Sequence, residues 1–200
     1  MKVKKYEQFF DPSFSENTYL VAIKDSCFLV DPGIIGEELK EELQKYKLEF
    51  VILTHGHSDH FLGIEHLDVP VYITNHDLKL VRNPEYSYAT YMNSSSTFPN
   101  KEFRDIFTLP TFMGEKFTII ETPGHTKGSV CVQLRDRLFT GDTIFINTVG
   151  RTDLFSGNMN ELTKSIKLLK DKVSNNTVIY PGHGGYAKFK KVQEMNPYLK

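Results

Sequence analysis

Short apolar runs alternate along the chain with stretches of helical period. Residues 2–10, 17–23 and 27–31 read as strands that open a sheet. Residues 35–47 place Ile35, Leu39, Leu43 and Tyr46 on one helical face, with charge on the other. Phe50-Val51-Ile52-Leu53 is fully apolar, the pattern of a strand buried on both faces, and it runs directly into Thr54-His55-Gly56-His57-Ser58-Asp59-His60. Residues 71–73 read as a strand and 75–82 as a helix. Residues 93–99 form a polar, small-residue stretch expected to be an extended loop. A second set of strands is read at 116–122, 128–134 and 137–141. Leu162, Ile166, Leu169 and Val173 make 160–173 an amphipathic helix, and 177–180 is again a short apolar strand. This alternation in two halves predicts a layered α/β architecture in a single domain over residues 1–200.

Composition adds few constraints. Apolar residues at 40% and charged residues at 24% suit an ordinary globular chain. A net charge of −1 supplies no broad field for nucleic acid or an anionic membrane, so a small-molecule substrate is the expected partner. Lysines gather at Lys2, Lys4 and Lys5 and at Lys188, Lys190 and Lys191; they read as solvated faces, the second on a basic C-terminal helix. The opening residues hold no apolar core long enough for a secretory signal, and no run approaches a membrane span. Cys27 and Cys131 sit in apolar strand-like stretches and read as buried, reduced thiols. A cytoplasmic protein is the expectation.

The chemistry concentrates where strands end. Four potential ligands, His55, His57, Asp59 and His60, fall within six residues. Imidazole nitrogen and carboxylate oxygen suit zinc or iron at neutral pH. No regular strand or helix aims all four at one ion; a strand ending in a turn does, and Gly56 offers backbone freedom for it. Such a pattern arises by chance on the order of once in a thousand sequences of this composition. His125, Asp142 and His183 each follow a strand with glycine beside them. A lone histidine after a turn is usually structural, but four strand-end clusters in one chain point to a metal site. His66 and His76 lie outside these clusters and read as surface residues.

His55-x-His57-x-Asp59-His60, followed in order by His125, Asp142 and His183, resembles the metal motifs of the metallo-β-lactamase superfamily over nearly the whole chain. Thr122-Pro123-Gly124-His125-Thr126, Thr140-Gly141-Asp142-Thr143, Gly150-Arg151-Thr152-Asp153-Leu154 and Asn196-Pro197-Tyr198-Leu199 look like its glyoxalase II-like, small hydroxyacylglutathione hydrolase-like branch. The resemblance implies an αββα sandwich of two mixed sheets flanked by helices. It implies that His55, His57 and His125 hold one divalent ion, that Asp59, His60 and His183 hold a second, and that Asp142 bridges them. Zinc is the first expectation; iron and manganese accept the same donors. Asp31, in Val30-Asp31-Pro32-Gly33, resembles a residue that orients the ligands, and closing the turn before Pro32 is a compatible role. Arg151 and Asp153 read as a structural ion pair.

Two such ions would share and ionise a water that attacks an ester or thioester carbonyl, with Asp59 handling the proton. A thiolate leaves without a general acid, and the sequence offers no further His/Asp pair as one. The chain departs from full-length glyoxalase II in having about seventeen residues after His183 instead of a long helical extension, and in reading Gly184-Gly185-Tyr186-Ala187-Lys188 there. Metal binding survives both departures; glutathione specificity is not implied. A mononuclear-iron persulfide dioxygenase has similar motifs, including Gly150 to Asp153, though Leu154-Phe155 departs from its pattern. A lactonase or other esterase is a further alternative. β-Lactam hydrolysis fits less well without an export signal, and a ribonuclease would need a recognition module and a phosphate footprint.

Overall fold

The first three runs read as strands open a sheet, as expected. Strands β1 (Lys2–Asp11), β2 (Phe14–Ile23) and β3 (Ser26–Val30) form an antiparallel set. β4 (Lys47–Ile52), β5 (Val71–Ile73) and β6 (Phe103–Asp105) then add parallel to β3 in chain order. In this computed structural model, which describes residues 1–11, 14–98 and 100–200, these strands belong to one compact unit, Met1–Thr108, and a second unit spans Leu109–Lys200. Pro12, Ser13 and Pro99, the last of them ending the expected loop over 93–99, lie outside the described residues.

Parallel neighbours need a crossover. Helix α1 (Glu37–Leu43) supplies it between β3 and β4, and α2 (Asn75–Val81) between β5 and β6. Leu20, Cys27, Leu29, Val51, Leu53, Val71 and Ile73 pack with Leu39 and Val81 into the core of this unit. The alternate positions Val21, Phe28, Val30, Phe50, Ile52 and Tyr72 are buried as well, so the central strands are apolar on both faces.

α1 is shorter than the helical period at 35–47 suggests. The amides of Lys45 and Tyr46 bond three residues back, to Glu42 and Leu43, tightening the last turn. The amide of Lys47 then reaches the Asp25 carbonyl at 2.7 Å, and Lys47 pairs opposite Ser26. Strand pairing claims the residues that periodicity assigned to the helix.

The second unit carries a five-stranded sheet in the order β11-β10-β9-β8-β7. β7 (Phe117–Glu121), β8 (Val130–Leu134) and β9 (Arg137–Gly141) form an antiparallel meander. Helix α3 (Met159–Lys172) crosses to β10 (Val178–Pro181), parallel to β9, and β11 (Ala187–Lys188) closes the edge. Asn158 caps α3 by accepting the Glu161 amide at 3.1 Å. Leu162, Ile166 and Leu169 pack on Cys131, Leu138 and Ile179. The final helix α4 (Phe189–Met195) buries Phe189 and Val192 and leaves Lys190 and Lys191 in solvent, as a basic surface helix should.

The tail motif has a local job. Fully buried Asn196 donates through Nδ2 to the carbonyls of Phe145 (3.0 Å) and Thr148 (2.7 Å), fixing the loop that follows Asp142. Both cysteines are buried free thiols, and burial pushes Cys27 up to about 12 and Cys131 to about 11. Among the described residues, no helix is long and apolar enough to cross a membrane.

The N-terminal lysines are not all idle. Glu42 of α1, with its side chain only 5% exposed, meets Lys4 at 2.6 Å, Lys45 at 2.8 Å and Lys2 at 3.6 Å. Hydrogen bonds from Lys4 and then Lys45 hold its carboxyl down at about 2, against an ordinary 4.5. A carboxylate with a depressed pKa contributes stability above its unfolded value and loses it as pH falls through its folded one. Wild type should therefore exceed Glu42→Gln by about 1 kcal/mol above pH 4.5, with the gap closing toward pH 2. Denaturant unfolding of both proteins across that range measures it; a gap independent of pH would refute the assignment.

Candidate metal centre

In the first unit, β4 ends at Ile52 and the chain turns through His55–His60 on short 3-10 geometry at Ser58–His60. The His55 ring centroid lies 5.0 Å from that of His57 and 4.2 Å from that of His60. Asp59 Oδ2 is 3.3 Å from His60 Nε2. All four side chains are buried or nearly so.

Behind them stands Asp31, held in the left-handed region (φ 50°) at the end of β3. Its carboxylate accepts the Thr54 amide at 2.8 Å and the Thr54 hydroxyl at 2.7 Å, and lies 3.2 Å from His60 Nδ1. Thr54 Oγ1 is in turn 3.1 Å from His55 Nδ1. With its own proton committed to Asp31, the hydroxyl is left to accept from that ring nitrogen. These contacts set both rings in the Nδ1–H tautomer and leave Nε2 of His55 and His60 as the lone-pair donor. Asp31 also closes the turn, accepting the Gly33 amide on its carbonyl at 3.0 Å. Asp31 thus both contacts the histidine motif and closes the turn.

Asp31, His55 and His60 offer ligand atoms within 4.8 Å of one another. Two of the three contacts described for the Asp31 carboxylate are to Thr54, so it acts as a buttress.

Gly56 has a different reason from the one expected. Its backbone is not in the left-handed region; a Cβ there would lie 2.7 Å from the Asp77 carbonyl oxygen and 2.9 Å from Leu80 Cβ of α2. Close approach to the helix, rather than freedom in the turn, excludes a side chain. Asp77 completes the anchor by accepting the Gly56 amide on Oδ2 at 2.8 Å.

The second unit gathers His125, Asp142 and His183. Asp142 Oδ2 lies 3.2 Å from His183 Nε2 and 3.6 Å from His125 Nε2, so two imidazoles face one carboxylate oxygen. His125 Nδ1 contacts the Arg151 carbonyl at 2.8 Å, which again fixes Nδ1–H and makes Nε2 the lone-pair nitrogen. Gly150 makes this approach feasible: a Cβ there would lie 1.8 Å from the Asp142 carbonyl oxygen and 3.0 Å from His125 Nδ1. The Arg151 side chain pairs with Asp153 at 2.7 and 2.6 Å, an exposed ion pair as expected, and holds the Asp153 carboxyl down at about 2.

Every ligand predicted from sequence thus falls in one of two constellations, one per unit. His66 and His76 stay on the surface. Thr54, Asp77 and the Arg151 carbonyl were not singled out. Thr54 directly precedes the motif and Asp77 sits beside His76, so position alone hinted at them; a backbone carbonyl leaves no mark in a sequence. The donors are imidazole nitrogen and carboxylate oxygen, with outer hydrogen bonds that present one ring nitrogen each. They fit divalent zinc or iron.

The family model described as the Metallo-beta-lactamase superfamily matches residues 12–183, and so spans both units. The probable metallo-hydrolase MJ0888 of Methanocaldococcus jannaschii is 33% identical over 183 residues, covering 86% of this chain and 88% of its own. Hydroxyacylglutathione hydrolase GloC of Haemophilus influenzae is 27% identical over 199 residues, covering 94% of each. Among solved structures, TTHA1623 in a di-iron-bound form matches with a TM-score of 0.81 and 29% identity over 97% of this chain and all of that one. BLEG-1 B3 metallo-β-lactamase reaches a TM-score of 0.87 with full coverage of both chains at 24% identity, a likeness of fold.

If Asp31 orients His55 and His60, Asp31→Ala should weaken metal affinity about 10- to 100-fold while the protein stays folded. Titration of zinc against a chromophoric chelator reads the loss directly. Wild-type affinity in the variant would remove Asp31 from the site.

Proposed function

Since the chain belongs to the metallo-β-lactamase superfamily, we propose that it is a dinuclear hydrolase of the glyoxalase II-like branch, cleaving a thioester such as S-lactoylglutathione. The observation that carries this reading is the shared Asp142 oxygen, with an imidazole Nε2 at 3.2 and at 3.6 Å. One carboxylate oxygen facing two imidazole donors supports a ligand shared by two ions. The ligand sets we assign are His55, His57 and His125 for one ion and Asp59, His60 and His183 for the other.

When bound, divalent ions would supply a water of lowered pKa and a Lewis acid for the carbonyl oxygen. The chain's own residues supply the rest. Asp31 and Thr54 hold His55 and His60 in one tautomer, and the Arg151 carbonyl does so for His125. Asp59 is the group we assign to proton handling, its carboxylate buried against His60. A thiolate departs without protonation, so no dedicated acid is needed. The name of GloC supports a hydroxyacyl thioester as the substrate class, and the di-iron TTHA1623 supports two ions of which iron is one candidate beside zinc.

Metal analysis of the purified protein followed by assay with S-lactoylglutathione tests the proposal. Two ions per chain and turnover are expected. His57→Ala and Asp142→Ala should each lower turnover by more than about a hundredfold, the upper range for losing only an outer partner of a ligand. Circular dichroism should show both variants folded. Full activity in either would overturn the mechanism. One iron per chain with oxygen consumption would instead favour the persulfide dioxygenase alternative.

A further inference from the structure

A row of aromatic rings leads from the histidine motif to solvent. The Tyr88 ring lies 5.6 Å from the His57 ring and nearly edge-on to it, at 69°. The Tyr91 ring follows, 6.0 Å from Tyr88 and tilted by 33°. Tyr91 is 83% exposed. A single exposed aromatic needs no explanation; one that continues a row starting at a proposed metal ligand does.

The loop that carries these rings is anchored to the motif. The Ser58 amide donates to the Ser87 carbonyl at 2.9 Å, and the Ser58 hydroxyl to Met92 Sδ at 3.4 Å. Asn83 Oδ1 accepts the amides of Glu85 and Tyr86, and the Ser94 amide returns to the Ala89 carbonyl. Tyr88 itself sits in the left-handed region (φ 64°), a conformation that bulky side chains rarely adopt and that surrounding structure must impose. The tethers therefore keep Tyr88 beside His57, with Tyr91 next in the row.

We propose that Tyr88 and Tyr91 form an aromatic platform that receives the acyl portion of the substrate and favours acyl groups bearing a flat apolar substituent. The inference rests on the acyl-hydrolase reading above and goes beyond it in naming what the acyl group carries. Ring faces tilted by 33° at this spacing accept a further ring in the geometry aromatic groups prefer. A 2-hydroxyacyl group with an aryl substituent places its carboxyl carbon at the His57 end and its ring along the tyrosines.

Calorimetric titration of the zinc-loaded chain with mandelate and with lactate tests the platform without turnover. Mandelate should bind wild type about five- to tenfold more tightly than lactate. Tyr91→Ala should bring that ratio within about twofold of unity, and Tyr91→Phe should retain it. A wild-type ratio near one, a ratio unchanged in Tyr91→Ala, or no binding of either acid overturns the inference. Hydrolysis of S-lactoylglutathione, measured in parallel, separates the two proposals. The expected ratios without turnover uphold the platform and remove the hydrolase reading; turnover with an unaltered ratio does the reverse.

Discussion

A buried carboxylate that is fully engaged on one side governs what the histidines can do on the other. Asp31 takes a main-chain amide and a hydroxyl from Thr54 and faces a ring nitrogen of His60. An imidazole has two nitrogens, and only one can be the donor to an ion. By occupying one, directly for His60 and through Thr54 for His55, the network decides which nitrogen faces outward before any ion arrives. The Arg151 carbonyl makes the same decision for His125 in the second unit. Three proposed ligands are thus prepared by three different kinds of oxygen: carboxylate, hydroxyl and main-chain carbonyl.

The fold gives these oxygens their places. Asp31 lies at the end of β3 and Thr54 just past β4, and these strands are parallel neighbours, so their ends coincide. In the second unit, β9 ends at Gly141 and β10 at Pro181, again parallel neighbours, and Asp142 and His183 follow them. Each unit repeats one device, in which side chains distant in sequence meet because parallel strands stop together. The cores beneath bury the apolar side chains of these strands and so hold their ends in place.

Much of this was legible in the sequence because the chemistry resides in side chains of rare type at strand ends. His55 to His60, His125, Asp142 and His183 announce themselves by spacing and by neighbouring glycines. The longer strands and α3 were legible through period, with Leu162, Ile166 and Leu169 marking a helical face that the structure buries. Where the reading failed, another interaction outweighed the local signal. Residues 44–47 follow helical period but are taken by a tightened turn and by pairing with β3. β6 and β11 are too short to show alternation; an edge position beside β5 or β10 creates them. Gly56 was expected to serve the turn, whereas the demand comes from α2 passing close by, a neighbour no local pattern reveals.

The two thiols carry a consequence for metal choice. Thiolate, not thiol, is the strong ligand for soft ions. Cys27 and Cys131 are sealed in the two cores with their proton affinity raised by burial, so at neutral pH neither offers sulfur to a passing cation. Copper(I) and its like, which favour thiolate, therefore gain no thiolate from either cysteine. The interior packing of two small residues thereby withholds both thiols from metal capture.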